Sequence, residues 1–173
     1  MQGVYQHHYQ ASITGNLNQT LTQRILREIN DLTNSLPVSH TNAIFVKYDK
    51  KRIDVMKALI MGSRDTPYAH GAFMFDLFVP ENYPNAPPKC NLMTTGSAAV
   101  RFNPNLYHCG KVCLSLLGTW RGNASENWDP NHSTILQVLV SIQSLIMTED
   151  VSYNEPGHEA SKKTVEGQRT NEG

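Results

Sequence analysis

Three β-prone runs, "NAIFVKY", "RIDVMKALIMG" and "GAFMFDLFVP", follow one another between residues 42 and 80, separated by charged or Gly/Pro-containing turns. Connections this short suit antiparallel neighbours, so the spacing predicts a meander. A stiff loop, "YPNAPPKCNLMTT", leads into a fourth short strand that contains Cys90. Ahead of the sheet, Leu21, Ile25, Leu26, Ile29 and Leu32 recur at helical spacing, with Arg24, Arg27 and Glu28 between them. That amphipathic helix must end near Leu36-Pro37, because a residue before proline avoids the helical region. After the sheet, "STILQVLVSIQSLIM" places Ile135, Val138, Leu139, Ile142, Leu145 and Ile146 on one helical face, with Ser133 as the capping residue. Val140 extends its apolar circumference, so this second helix is expected to be buried against the sheet. Helix, four-stranded sheet, a long irregular region and a second helix define an α+β fold.

The ends contrast with this middle. Residues 1–19 are rich in Gln, Asn and His without a sustained apolar period, and are expected to form a flexible polar leader, in which His7 and His8 read as solvated rather than metal-bound. Residues 20–156 form the single core domain, and residues 157–173, with Val165 as their one large aliphatic residue, are expected to be disordered.

Fifteen basic residues balance fifteen acidic ones, so there is no overall field to attract nucleic acid or an anionic membrane. No run of the chain is apolar enough to span a bilayer. Three cysteines in 173 residues do not make a disulfide framework and leave at least one thiol free. These features predict a soluble protein of a reducing intracellular compartment, cytoplasmic or nuclear, with no cofactor.

The chemistry concentrates in "NPNLYHCGKVCLSLLGTW", residues 103–120. Three readings of Cys113 compete: a nucleophile, a metal or disulfide partner of Cys109, and a small apolar strand residue. Zinc ligation by His108, Cys109 and Cys113 lacks a second ligand pair. In an extended segment the two cysteines would also stand about 13 Å apart, too far for one metal ion or a disulfide. A thiol hydrolase would need a base from His70, His108 or His132, and none has a neighbouring pattern that assigns it that role.

Four motifs break the tie. P-Y-x-x-G-x-F occurs as Pro67, Tyr68, Gly71 and Phe73, and Y-P-x-x-P-P as Tyr83, Pro84, Pro87 and Pro88. An H-P-N-like turn occurs as Asn103, Pro104 and Asn105, with Cys113 eight residues beyond Asn105 and Leu114 after it, and W-x-P occurs as Trp128, Asp129 and Pro130. In this order the motifs resemble the catalytic domain of ubiquitin-conjugating enzymes. "RFNPNLY", "GKVCLSLL", "LQVLVSIQSLI" and "NEPG" look most like the giant apollon-like branch, whose members carry baculoviral repeats. That branch shares Asn103 where most of the family has His, and the resemblance implies a loop held by an amide.

The resemblance implies an ATP-dependent pathway in which an activating enzyme passes ubiquitin to Cys113 as a thioester, from which it moves to a substrate lysine, with or without a separate ligase. Asn105 is then the candidate donor to the oxyanion, or a support for its own loop. Glu155, or more weakly Asp150, would orient the lysine or take its proton. Tyr107 and Trp128 would wall the site. Partner contacts would come from Arg24 and Arg27 towards the activating enzyme, from Phe78, Pro80 and Pro87 towards a ligase, and from Trp120 towards a substrate. The family normally closes with further helices, and the chain past Pro156 lacks their amphipathic pattern. A catalytically silent ubiquitin-binding module of the same fold is the alternative.

Overall fold

The computed structural model describes residues 6–39, 42–120 and 123–149. Helix α1 spans Gln19–Ser35 and begins where the Asn18 side chain accepts a hydrogen bond of 2.8 Å from the Leu21 N–H. That bond satisfies one of the donors that every helix start leaves open. At the other end Leu36 turns to extended backbone ahead of Pro37, as the sequence requires. The buried stripe is Leu21, Ile25 and Leu32, whereas Leu26, expected with them, is half exposed. Glu28, a nominally polar position, joins the buried face instead.

Five strands follow in the order of the chain: β1 (Val38–Ser39), β2 (Asn42–Tyr48), β3 (Val55–Met61), β4 (Ala72–Phe78) and β5 (Lys89–Leu92). All neighbours are antiparallel, so the four expected strands form their meander and the two-residue β1 adds an edge. Alternation decides the faces. Met56, Ala58 and Ile60 of β3 and Phe73, Phe75 and Leu77 of β4 turn inward beneath α1 and the second helix. Each large aliphatic or aromatic side chain buried there contributes about 2 kcal/mol to the fold.

The second helix, α2, covers Ile135–Ser141 and passes without a break into a π-helical turn, Ile142–Ile146. The Met147 N–H donates to the Ile142 carbonyl, five residues back, at 3.0 Å. A π turn holds one residue more than an α turn, and the face assignment drifts accordingly. Ile142 and Ile146 stay buried, but Leu145, expected on the inner face, is 61% exposed. Val140 is exposed as well, so burial is confined to one side. Gln143 is drawn inward and donates to the Met61 carbonyl at 2.8 Å, tying the turn to β3. The cap is Thr134, whose hydroxyl accepts from the Gln137 N–H while the Gln137 side chain accepts from the Thr134 N–H. Ser133 instead accepts from the Asp129 N–H at 2.9 Å, holding the approach to the helix.

The expected leader differs most from the structure. His7, His8 and Tyr9 pack on the chain's own sheet, where His7 is 7% exposed. Its Nε2–H donates to the Met56 carbonyl at 3.0 Å, and Nδ1 accepts from the Tyr9 N–H. The His8 N–H donates at 2.7 Å to Asp76, a fully buried carboxylate also paired with Lys57. Tyr9 stacks on Phe78. A buried carboxylate on the outer row of β4 needs donors, and the segment supplies one of them. Among the described residues no helix is long and apolar enough to cross a membrane. The segment past Pro156, and any closing helices, lie outside the described residues.

Candidate active site

Between β5 and α2 the chain runs irregularly, and the order it keeps comes from side-chain amides. Asn103 uses its whole amide. Its Oδ1 accepts from the Asn105 and Leu106 N–H groups, both at 2.8 Å, while Nδ2 donates to the Tyr68 hydroxyl at 2.7 Å and the Ile146 carbonyl at 3.1 Å. The loop is therefore pinned to the P-Y motif on one side and to the π turn on the other. Gly71, in that motif, sits where a Cβ would come within 2.8 Å of the Phe73 ring.

Asn105 in turn holds the cysteine. Its Nδ2 donates to the Cys113 carbonyl at 2.9 Å, and its own carbonyl accepts from the Cys113 N–H at 2.8 Å. Thr119 closes the other side, accepting from the Leu114 N–H and donating to the Val112 carbonyl. The turn before Cys113 depends on Gly110, at φ +89°, whose hydrogen faces Asn91 with no room for a side chain.

Cys113 itself is 2% exposed, yet it lines one wall of a cleft of about 700 Å³. Asn105, Leu116, Trp120, Glu126 and Asp129 line it too. Burial pushes the Cys113 thiol above its ordinary value, and Lys111, a hydrogen bond from Tyr107 and Arg101 pull it back. Tyr107 carries both cations on its ring, Arg101 at 4.4 Å and Lys111 at 5.6 Å from the centroid. The balance gives a thiol short of full activation in a positive setting, while the cleft's ionisable lining away from the thiol is two carboxylates and a histidine. Asp129 is held below the usual carboxylate range by His132, 2.8 Å away, and by the Asn131 N–H.

The other expected residues divide. Trp120 lines the cleft. Trp128 does not: its indole N–H donates to the Pro84 carbonyl and its ring packs on Tyr83, so the W-x-P motif braces the Y-P motif and supplies no cleft wall. Pro130, between Asp129 and Asn131, leads into that brace. Phe78 is buried under Tyr9. Pro80, Pro87 and Pro88 line a separate groove with Tyr9. Arg24 is engaged with Glu28 at 3.0 Å and the Ser133 carbonyl at 3.1 Å, whereas Arg27 is exposed. Asp150 and Glu155 lie outside the described residues. Cys90, Cys109 and Cys113 are free thiols, and among the described residues no cluster of His, Cys, Asp or Glu could hold a metal ion.

Sequence reasoning passed over Thr119, Lys111 and Glu126. Lys111 had a signal, since residues two apart in an extended segment share a face. Thr119 and Glu126 had none, because they reach the site through an irregular loop.

The profile of the family described as "Ubiquitin-conjugating enzyme" matches residues 24–171. The chain is 53% identical over 146 residues to "Probable ubiquitin-conjugating enzyme protein 17" of Caenorhabditis elegans, an overlap of 84% of this chain and 20% of that protein. It is 52% identical over 145 residues to the human "Dual E2 ubiquitin-conjugating enzyme/E3 ubiquitin-protein ligase BIRC6", covering 84% of this chain and 3% of that one. Among solved structures it is similar to human ubiquitin-conjugating enzyme E2 G1, with a TM-score of 0.60, 27% identity, and coverage of 75% of this chain and 96% of that one. The chain thus spans a fifth or less of the length of these two curated relatives.

Proposed function

Since the chain belongs to the ubiquitin-conjugating enzyme family, we propose that it carries ubiquitin as a thioester on Cys113 and transfers it to a lysine. The observation that carries this reading is the position of Cys113 on the wall of the cleft, its backbone held on both faces by Asn105. A sulfur nucleophile suits two successive acyl transfers, because thiolate both attacks well and leaves well. In the first, the Cys113 thiolate attacks the activated terminal carbonyl carbon of ubiquitin, the bond that held that carbon to its carrier on the activating enzyme breaks, and the carrier group leaves with the electron pair, ATP having supplied the activation. In the second, an amine nitrogen attacks the thioester carbon, the C–S bond breaks, the Cys113 thiolate leaves, and the amine proton passes to solvent.

Lys111 and Arg101 favour the thiolate in both steps against the cost of burial. Arg27, exposed on α1, is the contact offered to the activating enzyme, while Arg24 serves the fold. The human relative is named a dual conjugating enzyme and ligase. On that likeness, substrate is met either directly or through a ligase. Free thiols and a labile thioester suit a reducing intracellular compartment.

The test is loading with activating enzyme, ubiquitin and ATP, resolved with and without reductant. A reductant-sensitive adduct absent from Cys113→Ala is expected. No adduct would leave the silent binding module, the reading that the low exposure of Cys113 favours.

A further inference from the structure

A single hydroxyl behind Cys113 ties together the two peptide units that meet at its Cα. After the 3-10 turn Ser115–Leu117 the chain reverses at Gly118, with φ +64°, and the Thr119 N–H returns to the Leu114 carbonyl at 3.3 Å. The Thr119 hydroxyl then accepts from the Leu114 N–H at 3.0 Å and donates to the Val112 carbonyl at 2.7 Å. It has one hydrogen to give. The Leu114 carbonyl, 3.3 Å from the same oxygen, already accepts from the Leu117 N–H at 2.9 Å, so the hydrogen belongs to Val112.

The Val112 carbonyl and the Cys113 N–H share one peptide plane, and the Cys113 carbonyl and the Leu114 N–H share the next. The rotations between those planes are the φ and ψ of Cys113, and they set the direction in which its Cβ and sulfur leave the backbone. Asn105 holds the Cys113 end of each plane. Thr119 holds the other end of both with one atom, which fixes the angle between them. The threonine itself stands away from the chemistry: it lines the separate groove with Tyr9 and Pro87, and the walls of the cleft do not include it. The residue is exposed, so its hydroxyl is not there to fill the core. Folding requires only that the polar groups of buried Val112 and Leu114 be paired, and separate partners would serve. A shared partner adds rigidity where the reacting sulfur is carried.

We propose that Thr119 is a positioning residue of the transfer reactions: acting through the backbone of Cys113, its hydroxyl aims the sulfur into the cleft at the angle that acyl transfer needs. The inference rests on the conjugating reading above. Thr119 touches neither thioester nor amine and carries no charge, so its effect falls on the orientation of the nucleophile. A small misplacement of a reacting atom is enough to slow attack, while the docking of partners on the outer surface is untouched.

The experiment follows loading of the full chain over a concentration series, from activating enzyme already carrying ubiquitin, so that kcat and KM are read separately. In Thr119→Val, which trades the hydroxyl for a methyl, kcat is expected to fall about tenfold with KM changed by less than about twofold. Single-turnover discharge to free lysine should slow to a similar degree. Thr119→Ser keeps the bridging oxygen and should recover at least about a third of the wild-type kcat. Thr119→Asn keeps a donor and an acceptor for folding but divides them between two atoms, and its kcat should stay well below that of the serine variant. A lower urea midpoint in Thr119→Val with unchanged kcat would make the residue a brace of the fold and overturn the proposal. So would a raised KM at unchanged kcat, Thr119→Ser as slow as Thr119→Val, or loss of the fold in Thr119→Val and Thr119→Asn alike. Should Thr119→Val alone fail to fold, Thr119→Asn as fast as Thr119→Ser would overturn it too. A wild-type chain that takes no ubiquitin defeats the conjugating reading itself, whereas normal wild-type loading with an unimpaired Thr119→Val defeats only the role of Thr119.

Discussion

Glu28 Oε2, in the middle of α1, accepts a hydrogen bond of 2.7 Å from the backbone N–H of Ile135, the first residue of α2. Its Oε1 accepts from the Arg24 guanidinium and from the Tyr83 hydroxyl. One buried carboxylate thereby joins the first helix, the Y-P motif and the start of the second helix.

Glu28→Ala should cost about 3 kcal/mol, because it strands the Tyr83 hydroxyl and the Ile135 N–H without an acceptor. Glu28→Gln keeps one acceptor and should cost about half as much. Urea denaturation of the two variants checks the ordering.

Asn103→His would introduce the residue usual in the family. A neutral imidazole has one donor and one acceptor, where the Asn103 amide makes four hydrogen bonds. The variant should lose about 2 kcal/mol, read from thermal or urea midpoints, and its loading rate should fall with the order of the loop.

Lys111→Gln removes a charge that favours the Cys113 thiolate. Burial is then opposed by less, so the thiol titrates higher still and the thiolate fraction at neutral pH drops. In a Cys109→Ser background, alkylation of Cys113 should slow about threefold at neutral pH, and its pH profile should move upward.

Cys90 is pushed well above the ordinary thiol range by burial and by the charge of Asp76. In the unfolded chain it releases its proton from about pH 8.5 upward, whereas the folded state retains it. The folded state then binds more protons than the unfolded one, so stability falls as pH rises past that value, by up to about 1.4 kcal/mol per pH unit. Denaturation at about pH 7 and about pH 9.5 should show this slope, and Cys90→Ala should flatten it.

Periodicity made the strands and α1 legible, because both depend on local alternation that short turns and a proline punctuate. Pattern also placed the Cys113 loop. It failed where distant polar groups decide. Nothing near His7 shows that a buried Asp76 awaits donors on the next sheet row, and nothing near Glu28 shows the open N–H of Ile135, 107 residues on. Leu145 obeyed helical spacing on paper, but one surplus residue in the turn carried it to the outside. Trp128 is expected to wall the site, whereas its indole N–H donates to the Pro84 carbonyl.

The π turn at Ile142–Ile146 sets the reach of the Ile146 carbonyl, which accepts from Asn103. Deleting any one residue there would let the segment relax to ordinary α winding and retract that carbonyl from the loop. The damage would surface as a slack reaction centre, with the helix that was shortened still well formed. The stretch is a spacer, tuned by length more than by the identity of its side chains.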